Sequence, residues 1–292
     1  MVLQELYIIY CILFIVYYLL YSIYNMTTFR DYSNVDNAVR ENYRLARQNQ
    51  TVNFVNKMIE KYSQFNLDIT IWDALEQLNT LVDVSDPDMD HPNIYHAIQT
   101  AERLRQDNYP EWLQVVGLIH DLGKIMYLQG SDDEGTGREK QWAIVGDTFV
   151  VGCILPDTLI FPEFNPLNPD MKDERYNTLI GQYKEGCGLD NVQCSWGHDE
   201  YLYRILSSDK NQHSLPLEAL YIIRFHSLYA YHDKSSYQHF MSSKDREMLP
   251  WLKLFNQYDL YTKSNTLHKL SDVKDYYIGL LQKFFPTNSL YI

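Results

Sequence analysis

A histidine and an aspartate stand next to each other where an apolar stretch ends, within residues 117–124. Imidazole and carboxylate groups are good ligands for a borderline or hard metal ion. Consecutive helical residues project about 100° apart, so His120 and Asp121 cannot chelate one ion from the same helix face. The pair suits His120 binding one ion while the Asp121 carboxylate bridges two. A His-Asp pair alone is more often a hydrogen-bonded helix end, so further ligands are needed to decide.

Three further ionisable residues lie on helix faces that should be buried: His198, His226 and Asp259. Each is three, four or seven positions away from apolar residues of the same predicted helix. A carboxylate on an apolar face is costly unless it is paired or metal-bound, which makes Asp259 the most informative of the three. His96 lies on a polar stripe and fits either a wet cavity or solvent. Each histidine, taken alone, also fits a hydrogen-bonded structural role.

Together the chain offers four imidazoles and two carboxylates on five predicted helices: His96, His120, Asp121, His198, His226 and Asp259. This set is large enough for a two-metal site in which Asp121 is shared. Nitrogen and oxygen donors without thiolate indicate iron or manganese, and zinc stays open. Lys124 has two interpretations. It either complements the dipole at a helix end, or holds a hydroxyl or a developing oxyanion beside the metals.

Helical periodicity predicts the elements that carry these residues. Helices are expected over residues 93–106, 111–122, 198–208, 217–229 and 245–262, with Gly123 as the C′ residue that ends the second. Residues 129–141 have the composition of a flexible, polar insert. Residues 142–175 contain four prolines and are expected to be irregular and to wrap the surface. Alternating β patterns are scarce, so the predicted class is all-α.

Composition limits the classes of function that remain. The chain has 292 residues, 46% of them hydrophobic, which is enough for one large domain or two small ones. The net charge of -13 argues against a nucleic-acid-binding protein, which would need a basic face. A neutral substrate remains compatible. The four cysteines show no C-x-x-C spacing, which fits a reducing compartment.

Residues 6–24 carry no charge and, as a helix, would extend about 28 Å, close to the thickness of the hydrocarbon core of a membrane. One interpretation is a membrane anchor. Arginines follow the segment, so the rest of the chain would then lie in the cytoplasm. A second is an aberrant translated extension, because Met26 would make a credible start. A third is a buried helix, although a segment that is apolar on every face fits that poorly. The expected organisation is therefore an apolar segment over residues 1–25 and one catalytic domain over residues 26–292.

At the candidate ligands and in the segments around them, the chain resembles inositol oxygenase, a di-iron family of the HD-domain group. The resemblance runs from about residue 29 to the C-terminus and rests on blocks that occur in order. They are FRDY (29–32), LVDVSDPDMD (81–90), HAIQTAE (96–102), VGLIHDLGKIM (116–126), QWAIVGDTF (141–149), SWGHDEYLY (195–203), IRFHS (223–227) and MLPWLKLFNQYDLYTK (248–263). The resemblance implies an HD-domain-like helical bundle with peripheral helices and long irregular connections.

The resemblance also implies ligand and substrate roles. His96, His120, Asp121 and Asp259 would hold one iron of a mixed-valent Fe(II)/Fe(III) pair. His198 and His226 would hold the other, with Asp121 bridging. The residues implied to contact or enclose the substrate are Arg30, Asp83, Ser85, Lys124, Gly146, Asp147, His226 and Ser227, with Asp86 behind them; Asp121 and Lys124 would be catalytic. Two departures from the family pattern are a longer loop at 129–141 and Val84, where an acidic residue is common.

The implied reaction converts myo-inositol and O2 to D-glucuronate and water, the first step of inositol catabolism. It would be carried out by a monomer in the cytoplasm. A phosphohydrolase of the HD group is the alternative enzyme, but its phosphate site should contain several convergent cations. Only Lys124 and Arg30 qualify near these motifs. A membrane-tethered scaffold protein with an inert HD fold would need an incomplete ligand set, whereas all six candidates are present.

Overall fold

The structure of the protein is a computed structural model that describes residues 32, 35–86, 92–261 and 269–292. Two short strands, β1 (Asp68–Thr70) and β2 (Ser289–Tyr291), pair antiparallel with Ile69 opposite Leu290. All other regular elements in these ranges are helical, so the prediction of an all-α fold is confirmed. In chain order the α-helices are α1 (Asn37–Asn49), α2 (Val52–Tyr62), α3 (Ile71–Gln77), α4 (Asn93–Gln106), α5 (Glu111–Ile119), α6 (His198–Leu206), α7 (Leu217–Phe225), α8 (Tyr229–His232), α9 (Ser243–Tyr261) and α10 (Leu270–Phe284).

Helix α5 lies at the centre of the fold. All its residues from 113 to 119 are buried, and α4, α7, α9 and α10 pack against it. Gly117 allows α4 to pack closely against α5, because a Cβ at this position would come within 3.0 Å of the Ala101 backbone on α4. Prolines precede α4, α5 and α7. At such a position proline removes an N–H that would have no partner within the helix.

The end of α5 differs from the sequence prediction. The α-helix ends at Ile119, and a 3₁₀-helix follows over Leu122–Leu128. Gly123 is not among the residues with positive φ, so its assignment as a C′ residue was wrong. Its requirement for glycine comes from packing instead. A Cβ on Gly123 would lie 2.0 Å from the carbonyl oxygen of His198, so this glycine lets α6 approach the His-Asp pair.

The long connection after residue 129 is less peripheral than predicted. Residues 142–175 are irregular, as expected, but the first part does not wrap the surface: Trp142, Ala143 and Phe149 are buried. The insert at 129–141 contains a short 3₁₀-helix (Asp132–Glu134) and is buried at its centre, where Thr136 bonds the Tyr62 hydroxyl at 2.9 Å.

Residues Val35–Ile292 form one compact unit. Within the described ranges, the helices lack the length and apolar character needed to span a lipid bilayer. The predicted apolar segment at 6–24, and the predicted boundary between residues 25 and 26, lie outside the described residues.

Candidate metal centre

The six predicted ligands meet inside the bundle and are all buried, with exposed fractions between 0% and 5%. They come from five helices and their ends: His96 from α4, His120 and Asp121 from the end of α5, His198 from the start of α6, His226 from the residue after α7, and Asp259 from α9. His96 lies on a stripe that looked polar in the sequence. It is buried nonetheless, since α9 covers it with Asp259.

The first ligand group consists of His96, His120 and Asp259. The Oδ1 atom of Asp259 lies 2.8 Å from Nε2 of His96 and 3.3 Å from Nε2 of His120. One carboxylate oxygen therefore faces two imidazole nitrogens, and their ligand atoms are close enough to share one metal ion.

The second group is built around Asp121. Its Oδ1 atom lies 3.1 Å from Nε2 of His198 and 3.8 Å from Nε2 of His226. Its Oδ2 atom lies 3.6 Å from Nε2 of His120 and accepts a bond from Lys124. Asp121 thus presents one oxygen to each histidine group, which is the arrangement that a bridging carboxylate needs.

Backbone carbonyls fix the orientation of three imidazoles. The Nδ1 atoms of His120, His198 and His226 lie 2.9, 2.7 and 2.9 Å from the carbonyl oxygens of Gly117, Ile144 and Ile223. A carbonyl can only accept, so each Nδ1 carries a proton, and in the neutral ring each Nε2 points a lone pair into the centre. Metal-ligating histidines show this pattern of hydrogen bonding.

The donor set fits a metal. The buried Nε2 of His120 has no hydrogen-bond partner among the described residues. The Nε2 atoms of His198 and His226 lie 3.1 Å apart. If both rings were neutral, the lone pairs of these two nitrogens would face and repel each other. A cation between them, or a proton on one of them, removes this repulsion.

The electrostatic field of the centre favours cations. Burial alone would raise the pKa of Asp121 and of Asp259. For Asp121, Lys124 and the neighbouring histidines outweigh burial and hold the pKa well below the usual range. His120 and His96 do the same for Asp259. Burial opposes protonation of His226, but the hydrogen bond with Asp121 prevails and raises its pKa to about 9. Two ionised carboxylates therefore lie in a region shielded from water.

Lys124 is a buried member of the site rather than a surface residue at a helix end. Its ammonium donates to Asp83 Oδ2 at 2.7 Å, to Asn93 Oδ1 at 2.9 Å and to Asp121 Oδ2 at 2.9 Å. Burial disfavours its charge, yet the two carboxylates raise its pKa above the ordinary value. Lys124 therefore links a predicted substrate-contact residue, Asp83, to the shared ligand, Asp121.

The other predicted substrate contacts are held by bonds to neighbouring groups. Ser85 donates its N–H and its hydroxyl to Asp83 Oδ1, at 2.8 and 2.6 Å. The carbonyl of Ser227, next to His226, accepts from Thr148 N at 2.9 Å. Asp147 is held by Ile160 N at 3.0 Å and by Arg47 at 3.5 Å, and burial raises its pKa despite that arginine. Arg30 lies outside the described residues.

A small cavity is lined by two of the predicted substrate contacts, Gly146 and Asp147. It has a volume of about 10 Å³, room for about one water molecule, and its lining includes Gly146, Asp147 and Asp199. Asp199 is 1% exposed, accepts from the Thr148 hydroxyl at 3.0 Å, and can share an ion with His198 and His226.

Sequence reasoning missed Asp199 and Asn93. Asp199 looks like an ordinary acidic residue in the first turn of a helix, which is stabilising there by itself. Its position directly after His198 was the available signal. Asn93 begins α4 and gives no periodicity signal at all, although its side chain bonds Lys124.

Comparison with known proteins identifies the family of the chain. The family model described as myo-inositol oxygenase matches residues 36–291. The chain is 47% identical over 266 residues to inositol oxygenase 1 of Arabidopsis thaliana, covering 89% of this chain and 83% of that protein. It is 45% identical over 264 residues to inositol oxygenase of Mus musculus, covering 89% of each. With inositol oxygenase of Danio rerio it shares 43% identity over 265 residues, covering 89% of this chain and 92% of the relative. A match over nearly the whole of residues Val35–Ile292, which contain all six clustered ligands, means that this chain belongs to the myo-inositol oxygenase family.

Proposed function

We propose that the protein cleaves the ring of myo-inositol with O2, forming D-glucuronate and water as the first step of inositol catabolism. The observation that carries this proposal is the cluster of four imidazoles and two carboxylates, with Asp121 between the two histidine groups, in a chain of this family. The reaction balances with O2 alone: one oxygen atom enters the new carboxylate and the other leaves as water.

Two iron ions in a mixed-valent Fe(II)/Fe(III) state are the proposed cofactor. His96, His120 and Asp259 would hold one ion, His198 and His226 the other, and Asp121 both. The described cysteines belong to none of the ligand groups, so the donors are nitrogen and oxygen, which suit iron. When bound, the ions supply Lewis acidity toward a substrate diol and a site for O2.

The protein's own residues orient the substrate. The Asp83 carboxylate stays ionised at neutral pH: Lys124 and Ser85 outweigh the effect of burial and lower its pKa to about 2. Asp83 can therefore accept a hydrogen bond from a ring hydroxyl. All three Lys124 protons already have acceptors, so a hydroxyl can join Lys124 only by replacing one of them.

The remaining proposed contacts are Arg30, Ser85, Gly146, Asp147, His226 and Ser227. The proposed catalytic residues are Asp121 and Lys124. Asp121 is shared by the two groups of metal ligands, and Lys124 bonds both Asp121 and Asp83 and so fixes their relative positions. Their burial keeps bulk water away from the ring during oxidation.

The phosphohydrolase alternative is not favoured. A phosphate site needs cations free to meet several oxygens. Lys124 is already bonded to two carboxylates, and Arg47 is paired with Asp147. The family match points away from phosphate chemistry as well.

The test uses the full chain loaded with iron. We expect O2 uptake and glucuronate formation in equal amounts when myo-inositol is added, and an iron content of about two ions per chain. Phosphate release from nucleotides without O2 uptake would replace this proposal with the alternative. The same preparation lacking iron serves as the control.

We further propose that the enzyme is a cytoplasmic monomer. Size-exclusion chromatography with light scattering should give the mass of one chain, and a dimer mass would contradict this. The membrane anchor at residues 6–24 stays a prediction. It fails if the full chain and a chain beginning at Met26 distribute identically between membrane and soluble fractions.

A further inference from the structure

The insert at residues 131–141, here called the brace segment, joins α2 to the loop that carries Asp83. At its first end, Glu134 pairs with Lys57 at 3.0 Å and also with Lys61. Thr136, which is fully buried, bonds the Tyr62 hydroxyl. The brace segment is therefore fastened to α2 by both charged and buried contacts.

The second end of the brace segment holds residues 81–86, here called the Asp83 loop. Arg138 donates to the Thr80 hydroxyl at 3.0 Å, immediately before the loop. The side-chain amide of Gln141 donates to the Val82 carbonyl at 3.0 Å, and its oxygen lies 3.5 Å from Val84 N. These two Gln141 contacts lie on either side of Asp83 in the chain.

The main-chain carbonyl of Gln141 stabilises the turn that orients the candidate metal ligand His198. Its carbonyl accepts from Ile144 N at 2.8 Å and from Val145 N at 3.0 Å. The carbonyl of Ile144 in turn accepts from Nδ1 of His198. Gln141 thus uses its side chain for the Asp83 loop and its backbone for the turn that orients a metal ligand, and the two functions can be separated by substitution.

Burial makes the side-chain bonds of Gln141 important. The residue is 2% exposed, and its amide also donates to the Arg138 carbonyl at 2.8 Å. Val82 itself is 47% exposed, so water can satisfy its carbonyl once the amide is gone. Replacing Gln141 would therefore remove the bond that holds the Asp83 loop to residue 141, and the loop would move relative to Lys124.

We propose that Gln141 is a positioning residue for substrate binding: it holds the Asp83 loop so that Asp83 meets both Lys124 and the substrate. This inference rests on the proposed function, because Asp83 is a proposed substrate contact. Gln141 begins the QWAIVGDTF block that the chain shares with the family, and the longer loop before it adds contacts to α2 and to Thr80 outside the metal centre.

The test compares Gln141→Met with Gln114→Met in the full, iron-loaded chain. Methionine keeps the length and burial of glutamine and removes its hydrogen bonds. Gln114 is also a buried glutamine, 5% exposed, with bonds to the Tyr109 carbonyl at 2.8 Å and the Tyr276 hydroxyl at 2.7 Å. It is therefore matched in chemistry but bonds no residue of the site.

For Gln141→Met we expect the KM for myo-inositol to rise about fivefold to tenfold, the effect of about one lost hydrogen bond. We expect kcat within about twofold and unchanged iron content, because the backbone bonds of residue 141 remain. Gln114→Met should lower thermal stability to a similar extent and leave KM unchanged. Arg138→Ala, which weakens the same brace segment from the surface, should raise KM by a smaller factor.

An unchanged KM in Gln141→Met, or an equal rise of KM in Gln114→Met, would overturn the proposal. If Gln141→Met does not fold, Arg138→Ala decides: an unchanged KM in that variant rejects the role of the brace segment. Failure of the proposed function is seen separately, since the unsubstituted enzyme would then form no glucuronate from myo-inositol.

Discussion

Replacement of Asp259 by asparagine tests the metal centre most directly. Asp259 is 4% exposed, and its Oδ1 atom is within 2.8 Å of His96 Nε2 and 3.3 Å of His120 Nε2. Its pKa is held well below the usual range, so the side chain is anionic at neutral pH. Asn has the same shape and lacks the charge, so the substitution removes a ligand and leaves the packing of α9 in place.

The expected loss of metal affinity follows from the position of Asp259 among the candidate ligands. Loss of a residue that only supports a metal ligand commonly costs 10–100-fold in metal affinity. Loss of the ligand itself should therefore cost at least about 100-fold, or about 2.7 kcal/mol of binding free energy. We expect iron content to fall from about two ions per chain to about one, and glucuronate formation to be lost.

Iron should be measured by elemental analysis after dialysis, together with thermal unfolding. Asp245→Asn is the matched control, because Asp245 lies on the same helix and is 1% exposed. Its carboxylate accepts from the Ser242 hydroxyl at 2.7 Å and from the Tyr221 hydroxyl at 3.0 Å. That variant should lose stability and keep both irons. Full iron content in Asp259→Asn would remove Asp259 from the ligand set and refute this reasoning.

Two further predictions concern the approach of α6 and the protonation of the centre. Gly123→Ala should reduce stability and iron content, since its Cβ would overlap the His198 carbonyl at 2.0 Å; Gly279→Ala, with no atom near the added Cβ, should do neither. Normal iron content in Gly123→Ala would contradict this. In the metal-free protein His226 has a raised pKa of about 9, chiefly through Asp121 and against burial. Protonated His226 therefore stabilises the folded state in full below pH 6.5, the ordinary pKa of histidine, and this contribution is lost as the pH rises through 9. Urea unfolding should show a loss approaching about 3 kcal/mol over that interval, absent in a His226→Gln variant; an equal loss in that variant would exclude His226 as its source.

The hydrogen bonds of Lys124 suggest how the site is arranged before the substrate arrives. Its charge offsets part of the combined charge of Asp83 and Asp121. Because each of its protons is bonded to an oxygen, the ammonium is held in one position. Substrate hydroxyls would then meet a site whose polar groups are already oriented, which lowers the entropy lost on binding.

The helical pattern of the sequence predicted the fold class and much of the buried cluster of candidate ligands. Ionisable residues at His198, His226 and Asp259 stood out because each interrupts an apolar helix face, and such positions need a partner or a metal. Helix α4 was predicted with its observed bounds. The end of α5 was not, because the local signal of Gly123 resembles a C′ glycine while its actual constraint is the carbonyl of a residue far along the chain.

The sequence by itself determined which side chains could be ligands, because periodicity and residue type are local properties of the chain. The tertiary structure alone decided that His96 is buried despite its polar stripe, since α9 covers it. It also decided that Asn93 joins Lys124, and that Gln141 connects the Asp83 loop with the turn behind His198. These contacts join segments separated by tens of residues or more. No local pattern encodes them, because each depends on where the packing of other helices places both partners.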